Sequence, residues 1–161
     1  MVKKLLIFLY LITSVFASDD DRFWTRNGVL TDYFTGIQWQ DDKSLKNAKL
    51  SVKIWAEEKS YCESLKLDGK DDWRVPSIDE LKYGFKIRKK FKNYNAGVFW
   101  SSTIVPDYYK ENIYCLSFYW TQREIKVNQC SRIGKKFVRC IRGEKYEPSE
   151  LKEFIWEDKS W

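Results

Sequence analysis

Histidine is absent from the 161-residue chain. Its absence removes the commonest general base and the commonest metal ligand, and with them every Ser/His or Cys/His nucleophile scheme. Cysteine occurs four times but never as Cys-x-x-Cys, which argues against a zinc site. No apolar run reaches the ~20 residues that a membrane span needs. The run Leu5 to Phe16 follows Lys3 and Lys4 and leads into Ala17-Ser18. It reads as a signal peptide over residues 1–17, with no cysteine at the cleavage point to carry a lipid. There is no internal repeat and no low-complexity segment.

What remains, residues 18–161, suits one exported domain. A chain of this size buries ~68–70% of its unfolded surface, and eight Trp, ten Tyr and ten Phe supply an aromatic-rich core. Removing Lys3 and Lys4 takes the formal charge from +6 to +4. Residues 144–161 carry six acids against three Lys, which leaves +7 on residues 18–143. A basic body with an acidic tail points to internal attraction, or to an anionic ligand for the body.

In an oxidising compartment Cys62, Cys115, Cys130 and Cys140 should pair. Four cysteines allow three connectivities. Cys115 and Cys130 flank a predicted hairpin and are paired on that ground, which leaves Cys62 with Cys140.

The most informative stretch is Asp71-Asp72-Trp73-Arg74-Val75-Pro76-Ser77-Ile78-Asp79-Glu80-Leu81. Trp73 is an apolar anchor, Arg74 needs carboxylates or carbonyls if it goes inside, and Pro76 ends any element before it. Ser77 with Glu80 reads as a capping box opening a helix, whose inward face carries Ile78, Leu81 and Phe85. Gly84 is expected to weaken that helix.

An N-terminal hairpin is predicted from Val29–Asp32 and Ile37–Gln40. Asp41 to Leu50 looks like a solvated connection. Ser51 is expected to cap a helix burying Ile54, Trp55, Tyr61, Cys62 and Leu65. Glu58 falls on that same face, with Arg74 as a candidate partner. Asp68-Gly69 stops the helix. Strands are predicted within Ala96 to Thr103, over Ile113–Phe118 and Glu124–Gln129 around a turn at Trp120-Thr121-Gln122, and over Phe137–Ile141. A short amphipathic helix is expected after Pro148-Ser149.

In order, the marks are Gly28-Val29-Leu30-Thr31-Asp32, Thr35-Gly36-Ile37-Gln38-Trp39-Gln40, Trp55 with Tyr61-Cys62, Asp72-Trp73-Arg74-Val75-Pro76-Ser77 with Glu80-Leu81, Trp100-Ser101-Ser102-Thr103, and Val138-Arg139-Cys140-Ile141-Arg142. Over about residues 26–143 this resembles the Lcl C-terminal domain family, first named from collagen-like bacterial adhesins. The resemblance implies an α+β, C-type-lectin-like fold: two helices flanking twisted antiparallel sheets, termini close together, and two disulfides. It supports the pairs Cys62–Cys140 and Cys115–Cys130. In those adhesins the domain is linked to binding sulfated glycosaminoglycans and host surfaces, so the class it implies here is extracellular recognition. The acidic segment 144–161 lies outside the resemblance. The Glu-Pro-Asn, Gln-Pro-Asp and Trp-Asn-Asp triplets of calcium-dependent lectins do not occur, and Trp100-Ser101-Ser102 stands where carboxylates are expected. Formylglycine-generating enzymes share a related fold and use active-site cysteines, whereas these four are assigned to disulfides.

The concentrated chemical feature is Lys86, Arg88, Lys89, Lys90 and Lys92, five cations in seven residues. Such a run binds sulfate or carboxylate groups salt-dependently. It is equally the composition of a solvated helix end. Ser101 and Ser102 are candidates to line a pocket. Trp39, Trp55, Trp73, Arg74, Pro76, Ser77, Glu80 and Trp100 are assigned structural roles. Asp71 and Asp72 have no catalytic partner beside them. The expectation is a non-enzymatic recognition or adhesion domain, exported to the periplasm or cell surface. It would bind a sulfated or acidic glycan or a surface protein, and no nucleic acid, metal or cofactor. The alternative is a structural subunit of an envelope assembly, docked through the tail helix.

Overall fold

The first strands among the described residues form a tight hairpin. Asn27 and Gly28 both take positive φ, 48° and 79°, the geometry of the two-residue turn that matches strand twist. They join β1 (Phe23–Arg26) to β2 (Val29–Asp32). β3 (Gln38–Gln40) pairs with β2, and β9 (Ile141–Arg142) pairs with β3, closing an antiparallel four-stranded sheet in the order β1-β2-β3-β9. The second sheet has five strands in the order β4-β8-β5-β6-β7. These are β4 (Ser51–Ile54), β5 (Gly97–Ile104), β6 (Asn112–Phe118), β7 (Lys126–Ser131) and β8 (Ile133–Phe137). Among the described residues, only the β5–β8 pairing, at Phe99 and Phe137, is parallel. Helices α1 (Trp55–Ser64) and α2 (Ile78–Lys86) complete an α+β architecture. This computed structural model describes residues 22–46, 51–94, 96–106, 112–118 and 125–144. The expected signal peptide, the expected turn at 120–122 and the expected tail helix fall outside the described residues.

The main core lies where α2 covers β5 and β6 and the first sheet closes over them. Leu30, Trp39 and Ile141 from that sheet meet Ile78, Leu81 and Phe85 of α2, with Phe99, Leu116 and Phe118. The contacts between Phe85, Phe99 and Phe118 are edge-on, with ring centroids 5.2 and 4.9 Å apart, an arrangement aromatic quadrupoles prefer. Gly84 has a purpose the sequence did not suggest. A Cβ there would lie 2.9 Å from the Trp39 ring, so the helix approaches the indole only without a side chain.

A second cluster, Val29, Trp73, Val75 and Val138, surrounds the disulfide of Cys62 with Cys140. Cys115 bonds Cys130. These two sit diagonally across β6 and β7, since Cys115 faces Asn128 and Cys130 faces Ile113. Both pairs are those expected. A crosslink closing ~15 residues contributes ~3 kcal/mol in the chain-entropy model, and a longer loop contributes more.

The corner at Trp73 to Ser77 ties these parts together. Arg74 and Ile141 exchange backbone bonds of 2.8 and 2.9 Å. The Arg74 guanidinium grips Glu80 with two bonds of 2.8 and 2.7 Å. Glu80 also accepts from the Ser77 amide, and the Ser77 hydroxyl accepts from the Glu80 amide, so the capping box and the ion pair share one buried carboxylate.

Several expectations need correcting. Residues 51–54 are strand rather than helix, and Ile54 is the N-cap of α1, with no side-chain cap bond. Ile54 is exposed, not inward. Glu58 is buried but does not reach Arg74, which Glu80 holds. The expected last strand is split, because β8 ends at Phe137 and β9 begins at Ile141. Asp41 is buried rather than solvated. The strand at 51–54 and the burial of Asp41 follow from partners distant in sequence, whereas Arg74 is held by the nearby Glu80.

Candidate functional site

The basic run begins in the last turn of α2 and continues through a short 3-10 turn, Arg88–Lys90. Its cations are not equivalent. Arg88 lies over the Phe85 ring at 4.3 Å and donates to the Phe85 carbonyl. Lys90 lies 5.4 Å from the centre of the Phe23 ring. Lys86 is half-buried, and that burial lowers its pKa. Lys89 and Lys92 are exposed to solvent.

A buried clamp holds the end of this segment. The Asp41 carboxylate accepts from the backbone amides of Lys92 and Asn93, each at 2.8 Å. Arg139 donates to the Asn93 carbonyl at 2.6 Å and to the Gln40 carbonyl at 2.8 Å, and its guanidinium lies 4.2 Å from the Phe91 ring. Burial pulls Arg139 down to about 10, with Asp41 opposing, which leaves it charged at neutral pH. A cleft of about 420 Å³ opens beside the clamp, lined among others by Asn27, Gly28, Asp42, Lys43 and Lys92.

A second polar cluster stands at the other end of the first sheet. Asp32 is buried and accepts from Arg22, from the Thr35 hydroxyl, from the Phe34 amide and from Tyr83. Burial alone would raise its pKa, but these donors outweigh that and hold it below the ordinary carboxylate value.

The Lcl C-terminal domain model matches residues 28–142. The chain belongs to that family. No curated protein matches it. The Lcl domain match runs from the β1–β2 turn to β9, so it takes in the second sheet, the first sheet except β1, α1, α2, the basic run and the clamp.

Within this Lcl domain the candidate residues do not converge. Ser101 is fully buried, and its hydroxyl donates to the Tyr114 carbonyl at 2.6 Å, so it lines no pocket. The Ser102 side chain is exposed, and its amide donates to the Pro76 carbonyl. That places Ser102 near the start of α2, whereas Lys86 to Lys92 follow its end. Trp39 and Trp100 are fully buried. Trp55 donates from its indole to the Ser101 carbonyl, and Trp73 donates to the Lys70 carbonyl. Asp72 is held by Arg142 through two bonds of 2.6 and 3.0 Å. Among the described residues, no three of His, Cys, Asp and Glu gather as metal ligands, and no helix is long and apolar enough to cross a membrane.

Two features escaped the sequence reading. The Asp41–Arg139 clamp joins residues far apart in the chain, and no local signal marks it. The Asp32 cluster did carry a signal. Asp followed by Thr-Gly three and four residues later is the pattern of a side chain that bonds its own turn.

Proposed function

We propose that this protein is an exported, non-enzymatic recognition domain on a C-type-lectin-like scaffold, binding an anionic glycan through the surface around Lys86 to Lys92. The observation that carries the reading is the clamp. Asp41 and Arg139 place buried charge beneath a surface segment, and Lys89 and Lys92 project from that segment into solvent. A bare solvated helix end does not need such an anchor. The excess of positive charge on residues 18–143 would steer polyanions toward it. The two disulfides accord with passage through an oxidising compartment.

The test is retention on immobilised heparin at low and at physiological salt. The expected result is salt-dependent retention that Lys89→Glu/Lys92→Glu abolishes at physiological salt. Equal retention of wild type and variant would reject the basic segment as the site. No retention at any salt would reject the glycan reading and favour a protein partner at the cell envelope.

A further inference from the structure

The first sheet has two faces. The inner face sends Phe23, Leu30, Trp39 and Ile141 into or against the main core. The alternate residues must project the other way. On that outer face the strand register aligns Trp24, Thr31, Gln38 and Arg142 in a single row across all four strands. Hydrogen bonds run along the row. Gln38 donates to the Thr31 hydroxyl at 2.9 Å, and Arg142 donates to the Gln38 side-chain oxygen.

Two exposed rings stand near the end of the row. Trp24 is 59% exposed and Tyr33 is 65% exposed. The Tyr33 amide donates to the Arg22 carbonyl at 2.9 Å, which extends the β1–β2 ladder by one rung. Tyr33, in the turn after β2, is thus one rung beyond Asp32 and diagonal in register to Trp24. Neither ring belongs to a core cluster. Arg26, exposed and two residues along β1 from Trp24, adds a cation on that face. Asp72, the acid nearest the row by its bonds, is neutralised by Arg142.

Two exposed rings beside a hydroxyl, an amide and a free-standing guanidinium suit one kind of occupant. A pyranose presents an apolar C–H face that packs on an aromatic ring, and hydroxyls that bond to polar side chains. A carboxylate or sulfate on it would meet Arg26. We propose that the outer face of the first sheet is the sugar-stacking subsite of this protein, taking an acidic sugar unit on Trp24 and Tyr33. This rests on the glycan reading above and extends it to a second surface. The two surfaces are continuous around one edge. β1 is the edge strand, Trp24 lies on its outer side, and Lys90 covers Phe23 on its inner side. A polysaccharide crossing that edge meets rings first and the basic segment next.

The experiment measures binding of the oxidised full chain to heparin and hyaluronan oligosaccharides, with dextran as the neutral control. Trp24→Ala/Tyr33→Ala is compared with Trp24→Phe and with Lys89→Glu/Lys92→Glu. The rings are exposed, so circular dichroism and the thermal midpoint should match wild type. The expected result is a loss of affinity of about tenfold in the double alanine variant, the scale of one or two aromatic contacts. Its salt dependence should be unchanged, and Trp24→Phe should recover most of the affinity. The lysine variant should instead flatten the salt dependence. Wild-type affinity in the double alanine variant, with weakened binding in the lysine variant, would overturn the subsite and leave the glycan reading standing. Failure of the wild type to bind either oligosaccharide would remove both. A wild-type dimer in sedimentation that the double alanine variant converts to monomer would assign the face to self-association and overturn the subsite.

Discussion

α1 and α2 are nearly equal in length, ten and nine residues, and each buries a glutamate completely. Those glutamates are treated in opposite ways. Glu80 accepts two bonds from Arg74 and one from the Ser77 amide. Glu58 has no hydrogen-bond partner on either carboxylate oxygen. Lys136 supplies an opposing charge, but its ammonium sits 3.8 Å from the centre of the Trp100 ring. Burial pushes Glu58 well above the ordinary carboxylate range, with Lys136 only partly opposing. Burial likewise lowers Lys136. Both members are driven toward neutrality, so this is not an ion pair in the sense that Arg74–Glu80 is. The difference shows that a buried acid organises a helix only when donors converge on it. Without them the helix is held by other means, here the Cys62 disulfide.

The sharpest way to break the contrast is Glu80→Ala. It removes the shared acceptor of the Arg74 guanidinium, whose side chain is 29% exposed, and of the Ser77 amide, and a loss of ~3 kcal/mol is expected from these charge-assisted bonds, read by urea unfolding. A loss under 1 kcal/mol would show that the corner does not depend on the pair.

Gly84→Ala tests the other constraint on α2. Helix propensity alone predicts a gain of up to ~1 kcal/mol. Contact with Trp39 predicts a loss of ~1–3 kcal/mol from overpacking. The expected outcome is the loss, seen as a lowered thermal midpoint.

Glu58→Gln tests the unpaired side and carries a pH signature. Unfolded, Glu58 ionises near 4.5, and folded it keeps its proton to higher pH. Between those values the folded state binds the extra proton, so Glu58 lowers stability as pH rises through that window. The variant should gain ~1–3 kcal/mol at pH 8 and nothing at pH 4. A difference that does not change with pH would refute the assignment. Asp32 has the opposite sign, because its folded value lies below the ordinary 3.8. Its contribution is present above that value and is lost as pH falls, in wild type and variant alike.

The smallest effect expected is at the cap. Ser77→Ala should cost ~1 kcal/mol, whereas Ile54→Ala at the start of α1 should show no cap contribution, since no side-chain bond exists there. Equal losses at both positions would erase the distinction between the two helix starts.

Much of the α2 region was legible because its partners are local. Ser77 and Glu80 are three residues apart, Arg74 and Glu80 six. The start of α1 was misread for the converse reason. Its helical spacing extended back to Ile54, but pairing with β8 drew residues 51–54 into a strand. The Glu58 anomaly was visible as an acid on an apolar face, and its lack of a partner was not. At the candidate site the cations could be counted from the sequence, but the clamp beneath them spans 51 residues to Lys92 and 99 from Gln40 to Arg139.

The sequence by itself determined the family, the capping box and the apolar face of α2. All of these rest on short spacing or on an ordered set of marks. Only the tertiary structure decided that Asp41 is a buried anchor, that Gly84 makes room for Trp39, and that Trp24 stands outward from the first sheet. Those outcomes depend on register and on contacts between distant segments, where a single residue of slip moves a side chain from core to solvent.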